Sequence, residues 1–404
     1  MNIEILNNYI GNWQAGRTQI QPPTEEKAVK ILIGGDLCPT GRVDTEIIKG
    51  RGADVFYDFK QVTDNQALSI INLECPLTIH DTPIPKTGPY LKAHPDCACE
   101  LKRAGIDVVT LANNHTLDMG EQGLFDTLDC CKRAGLKTVG AGGNIEEATK
   151  ALITTVNGIN IAILNVAENE WSIAGPDRAG ASPVDLIDNY YSIYETKQKA
   201  DFILVILHGG NEYYPLPSPR MKKTCRYFVD IGAHAVVCHH THVPSGLEIY
   251  NDAPIVYSTG NLLFDWPGER PDDWYKGYMA ELSIMRGKVN SLCLLPYVQC
   301  NPELAIKPMA RDTTDIFVEN IEELSGIISD VERLEEKWKR FCDSRKLGYL
   351  NMLLCRNRIE RKLLHLFHIW PFWRAGKDQI RLLCSLVRCE AHQDVLIKAL
   401  LNKI

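Results

Sequence analysis

Apolar and polar positions follow two rhythms along this chain. Short apolar runs stopped by glycine, proline or polar residues predict strands at VKILIGG (29–35), ALSIINLE (67–74), DVVTLA (107–112), KTVGAG (137–142), DFILVILH (201–208), AVVCHH (235–240) and PIVYSTG (254–260). Between several of them lie segments of helical spacing: CACELKRAG (97–105), EQGLFDTLDCCKRAG (121–135) and RMKKTCRYFVDIG (220–232). Two hairpins are expected. ALITTVNG and INIAILNVAE turn at Asn157-Gly158, and YMAELSIMRG and KVNSLCLLPYV turn at Arg286-Gly287. Strands alternating with helices predict an α/β fold with covered sheet faces. After about residue 315 glycine becomes sparse and helical periodicity runs to the end. The pattern therefore divides the chain into a polar lead-in (1–28), an α/β domain (29–315) and a helical C-terminal region (316–404).

Composition narrows the function classes. The 404 residues are 45% hydrophobic and 24% charged, ordinary for a globular protein. A net charge of −7 is the wrong sign for a phosphate-tracking surface, so no nucleic-acid partner is expected. No stretch approaches the about 18 apolar residues of a membrane span. The opening MNIEILNNYIGNWQAG has no basic leader or cleavage pattern, which sets the expectation of a cytoplasmic protein. The fourteen cysteines lack paired zinc spacing and many sit in apolar runs, as buried free thiols do.

The residues with chemical potential fall where predicted strands end. Asp36 follows ILIGG, Glu74 follows SIINL, Asn114 and His115 follow VVTLA, His208 closes FILVILH, and His240 and His242 follow AVVC. In open α/β sheets that edge is where ligands bind. Each residue has a plainer reading alone. Asp36 suits a helix cap, Glu74 a surface charge and Asn114-His115 a turn. His208, after six apolar residues, needs a partner, and three histidines within four positions point to a metal or an anion. Taken together, carboxylates, imidazoles and an amide oxygen suit Mn, Fe or Zn rather than Ca²⁺. Two ions could be held if Asp36 or Glu74 bridges, with the chemistry of a metal-activated water.

The segments GGDLCPTGR (34–42), INLECPLT (71–78), TLANNHTLDMGEQGLFDTL (110–128), VGAGGN (139–144), HGGNEYYPLPSP (208–219), HHTHVPSGLEIY (239–250) and PIVYSTGNLLFD (254–265) carry a family likeness. Over residues 29–270 the chain resembles the CapA proteins of capsule and poly-γ-glutamate synthesis, a branch of the calcineurin-like metallophosphoesterases. The resemblance implies a metallophosphoesterase-like β-sandwich flanked by helices, followed here by a C-terminal helical extension. It implies metal ligation by Asp36, Glu74, Asn114, His208, His240 and His242, and two divalent ions. His115 would protonate a leaving group or hold the transition state, and Arg42 would meet substrate charge. Asp118 and Glu212 fall in matching motifs, where they would orient ligands or touch substrate. Three positions depart from the wider pattern: Cys38 stands two residues after the first aspartate in place of histidine, Glu74 replaces an aspartate, and His239 replaces a glycine. The implied function is hydrolysis of a phosphoester in surface-polymer synthesis, on an anionic small molecule or polymer. Amide hydrolysis on a glutamyl polymer and a non-catalytic scaffold are the alternatives.

Residues 350–404 combine helical apolar spacing with a basic excess, and Trp370, Phe372 and Trp373 flank Pro371. A small packed helical unit explains this pattern. A peripheral membrane contact or docking to a synthesis complex also fits it. In segment 168–190, Glu168, Glu170, Trp171, Asp177 and Arg178 suit either a substrate wall or an exposed loop.

Overall fold

The computed structural model describes residues 4–10, 13–21, 28–354, 362, 366 and 377–401. The chain forms two compact units, Met1–Leu334 and Glu335–Ile404. The first unit is built on two large sheets, which makes it α/β as the pattern predicts.

The larger sheet runs β1 (Glu4–Ile10), β2 (Trp13–Gln19), β17 (Lys288–Gln299), β16 (Lys276–Met285), β3 (Val29–Cys38), β4 (Leu68–Leu73), β5 (Val108–Thr110), β6 (Lys137–Val139), with β15 (Asn261–Phe264) beside β3 and β18 (Ile306–Pro308) beside β17. The second runs β13 (Leu247–Tyr250), β14 (Ala253–Val256), β12 (Ala235–His239), β11 (Phe202–His208), β9 (Ile159–Ala167), β8 (Leu152–Val156). A two-stranded piece joins β7 (Ala141–Gly142) to β10 (Gly180–Ala181). The sheets meet where β12 approaches β3 and β14 approaches β17, giving the expected sandwich.

Local chemistry explains the elements. β11 is buried at all seven positions, as a parallel strand covered on both faces must be. The β8–β9 hairpin turns on Asn157 (φ 49°) and Gly158 (φ 81°), the left-handed pair that a two-residue loop requires. Helix Pro219–Ile231 starts at Ser218, whose hydroxyl accepts the Met221 N–H, with proline in the first turn, where no N–H is missed. The Gly34-Gly35 pair does not stop β3, which continues to Cys38. Gly35 is instead a close approach: a Cβ there would lie 2.0 Å from the Gly260 carbonyl oxygen. That crossing brings β15 onto β3 at Asp36.

Two regions extend what the pattern suggested. Part of the expected lead-in forms the β1–β2 hairpin, and β2 pairs onto β17 with Trp13 and Ala15 buried in the core. Helix Arg311–Ser329 packs on β13 and belongs to the first unit. In the second unit, helices Lys377–Arg388 and Glu390–Leu401 contact each other. The Trp370, Phe372 and Trp373 cluster lies outside the described residues. Among the described residues, no helix is long and apolar enough to cross a membrane.

Candidate metal centre

The polar strand ends converge where the two sheets meet. β3, β4 and β5 run parallel, and their register places Asn261, Asp36, Asn72 and Thr110 side by side across the larger sheet. Glu74 follows β4 directly. β11 and β12 of the second sheet also run parallel, with His208 level with His239. The turn after β12 then carries His240 at φ 102° and His242 at φ 59°. L-residues with side chains seldom adopt such angles, and backbone strain of this kind gathers at functional sites.

Two ligand groups result. Glu74, His208 and His240 bring one ligand atom each within 4.8 Å of one another, and so do Asp36, Glu74 and His242. Glu74 is common to both. Its Oε1 lies 3.6 Å from His208 Nε2 and 3.7 Å from His242 Nε2. Asn114 Oδ1 is 3.0 Å from His208 Nε2, which is itself 3.0 Å from His240 Nδ1. All six metal ligands expected from the sequence thus come together.

Outer partners hold these groups in place. Asp36 accepts the Asn72 amide on Oδ1 (2.7 Å) and the His240 backbone N–H on Oδ2 (2.9 Å). Asn261 Oδ1 lies 2.9 Å from His242 Nδ1, leaving Nε2 toward Glu74. Asn72 and Asn261 escaped the sequence reading. The signal was there, since each is the one amide side chain of a short, mostly apolar strand, and a buried amide must have partners. His239 is buried too, with Nδ1 3.7 Å from Asp36 Oδ1 and Nε2 without a hydrogen bond. Cys38 is fully buried in the hydrophobic core beside Cys75, which fits an inert thiol.

The electrostatics suit a cation. Both Glu74 carboxylate oxygens are buried with no hydrogen-bond partner. Burial first, then Asp36 and Glu212, hold its carboxyl well above the ordinary range. Burial also pushes Asp36 up to about 7, against the pull of the His240 N–H and Asn72. Burial lowers His239 and His242 to about 3 and depresses His208 and His240. Neutral imidazoles are the form that binds metal. Two unsolvated carboxyls among four neutral imidazoles make a set that a divalent ion completes. The residues present therefore fit the ions expected from the sequence.

The other expected residues divide. His115 is buried, with Nδ1 2.7 Å from Asp118 Oδ2, and Lys86 pairs with Asp118 Oδ1. Asp118 also accepts the Leu91 N–H (2.7 Å). Lys86, on the proline-rich loop 76–95, escaped the sequence reading because nothing in its neighbourhood marks burial. Arg42 is not brought to the cluster. Its guanidinium forks onto Asp265 at 2.6–3.1 Å and reaches the Cys300 carbonyl at 3.3 Å. Glu170 Oε1 stands 4.0 Å from His240 Nε2 at the rim, and Trp171 is exposed.

An α/β sandwich with a buried carboxylate–histidine centre at the seam of its sheets defines the class of this protein. Residues 30–266 match the family model described as bacterial capsule synthesis protein PGA_cap. The chain belongs to that family. It is 31% identical over 270 residues to the capsule biosynthesis protein CapA of Bacillus anthracis, covering 64% of this chain and 66% of that one. It is 31% identical over 243 residues to the PGA biosynthesis protein CapA of Bacillus subtilis, covering 58% and 63%. The chain thus spans just under two thirds of these relatives' length. Among solved structures, the calcineurin-like phosphoesterase YfkN from Bacillus subtilis is similar, at 14% identity and TM-score 0.38, covering 76% of this chain and 98% of that one.

Proposed function

We propose that this chain is a metal-dependent hydrolase that holds two divalent ions, Mn, Fe or Zn, and acts on a phosphoester in the synthesis of a bacterial surface polymer. The observation that carries this reading is Glu74. A fully buried carboxylate shared by two ligand groups, with no hydrogen bond of its own, is otherwise a large uncompensated cost. Asp36, Glu74 and His242 would hold one ion, and Glu74, His208 and His240 the other, with Asn114 beside His208. Such ions supply Lewis acidity and a water acidic enough to attack at neutral pH.

The chain's own residues do the rest. Asp118 engages His115 Nδ1 and fixes the ring, which leaves Nε2 to hold or give a proton to a leaving oxygen. Lys86 neutralises Asp118 in a buried position, so the pair orients the imidazole without adding net charge. The buried site excludes water from the ligands, which strengthens every charge interaction within it.

Amide hydrolysis is the second reading. Its support is the acidic rim of Glu170 and Glu212 and the naming of the Bacillus subtilis relative as a PGA biosynthesis protein. Elemental analysis of the purified protein and of a His240→Ala/His242→Ala variant tests the centre. Assays with added Mn²⁺ on an aryl phosphate and on a γ-glutamyl peptide then separate the readings. Stoichiometric metal lost in the variant, with phosphate released, is the expected result. Amine release in place of phosphate would shift the reaction to amides. A chain that takes up none of Mn²⁺, Fe²⁺ or Zn²⁺ would end the hydrolase reading.

A further inference from the structure

We infer that Arg270 is the anion-binding arginine of this site, the group that receives the phosphate or carboxylate oxygens of the substrate beside the metal centre. The inference rests on the hydrolase reading above and deepens it.

Arg270 lies in the segment that follows β15, on the same stretch as Trp266 and Trp274. Its guanidinium carbon sits 5.3 Å from the ring centroids of both tryptophans. Cation–π contact of this kind orients the planar group without consuming its hydrogen-bond donors. The frame is continuous with the metal centre. The Trp274 ring centroid is 5.1 Å from that of His242 and 5.8 Å from that of Tyr213, and Tyr213 is 6.4 Å from His242. Arg270 Nη1 donates to the Tyr213 hydroxyl only at 3.4 Å.

Arg270, beside the metal centre, holds no carboxylate, unlike most arginines of the fold. Arg42 is forked onto Asp265, Arg226 onto Glu248, and Arg220, Arg286 and Arg103 each hold a carboxylate. Among the described residues no such ion pair engages Arg270, and its Nε is buried without a hydrogen-bond partner. A guanidinium fixed between two indoles, with donors to spare and its charge felt by His242 and Glu212, is prepared for an anion that the protein does not supply. The fork geometry suits two oxygens of one group, which phosphate and carboxylate share. The sequence reading gave this task to Arg42, but the charge of Arg42 is already met by Asp265.

The test is calorimetric titration of the full chain, loaded with Mn²⁺, with inorganic phosphate in one arm and glutarate in the other. Arg270→Met, Arg270→Lys and a remote charge control, Arg133→Met, run beside it, each with its metal content and circular dichroism measured. The expected result is anion binding weakened about tenfold or more in Arg270→Met, with metal content unchanged and the control like wild type. If Arg270→Met fails to fold, the same weakening in a folded Arg270→Lys carries the inference, because an ammonium keeps the charge but loses the fork. The arm that binds names the substrate group. Equal affinity in wild type and folded variants would overturn the inference, as would a metal-loaded wild type that binds neither anion. A wild type that takes up no metal would sink the hydrolase reading. The titration of that metal-free chain then still decides the arginine: Arg270-dependent binding keeps it, and no binding ends it.

Discussion

Glu74 and Glu248 are both buried carboxylates, 0% and 5% exposed, yet their surroundings are opposite. Glu248 receives the Arg226 fork at 3.0 and 2.6 Å and the Tyr257 hydroxyl at 2.7 Å, with Lys222 at 4.0 Å. Glu74 receives nothing and faces Asp36 and three histidines. One region uses a buried charge to tie β13 and β14 to helix Pro219–Ile231. The other leaves a charge unmet at the point where a cation would fit. Burial alone therefore does not mark a candidate metal ligand, whereas burial without partners singles one out for testing.

The sharpest way to break this comparison is to neutralise each carboxylate. Glu74→Gln should abolish binding of both ions, because both ligand groups lose their shared member, and elemental analysis reads this directly. Metal retained at two ions per chain would refute the shared role. Next in size, Asn72→Ala should weaken metal affinity by about 10–100-fold, since the amide that aligns Asp36 is gone. Competition with a chelator measures it. Glu248→Ala should instead leave metal content intact and cost about 2–3 kcal/mol in urea unfolding, below the full penalty for a buried pair because Arg226 remains partly solvated.

The smallest effect is one of pH. The Asp36 carboxyl stands near 7 in the metal-free fold, above its ordinary 3.8, so the native state keeps a proton that the unfolded chain releases. That group's contribution is full below about pH 4 and is lost as pH rises through 7. His239 and His242, held near 3, act oppositely: their contribution is present above about 6.5 and is lost as pH falls toward 3. Asp36→Asn should remove that group's destabilising slope between about pH 4 and 7, so that metal-free Tm, read by scanning fluorimetry, falls less or rises more with pH there than in the wild type. An unchanged slope would mean that Asp36 does not carry that proton.

Much of this was legible from the chain. Apolar runs ending in Asp36, Glu74, His208 and His240 located both the strands and the candidate ligands that the fold brings together, because a parallel strand buried on two faces is apolar until it reaches the edge of the sheet. The place of β15 beside β3 in the larger sheet was less visible, since it depends on Gly35 letting the Gly260 carbonyl approach. Lys86 and Arg270 were illegible for a different reason. A lysine in a proline-rich loop and an arginine between tryptophans look solvated in one dimension, and only the fold buries the first and frames the second. Arg42 shows the reverse: its motif suggested substrate, and its distant partner Asp265 could not be foreseen from local pattern.

The convergence of ligands from separate sheets has a dynamic consequence. Asp36 and Glu74 belong to one layer and His208, His240 and His242 to the other, so occupancy would cross-link the layers at one end of their seam. Slow amide exchange should then spread across both β4 and β11 on loading and fade from both together on chelation, as a single cooperative opening unit.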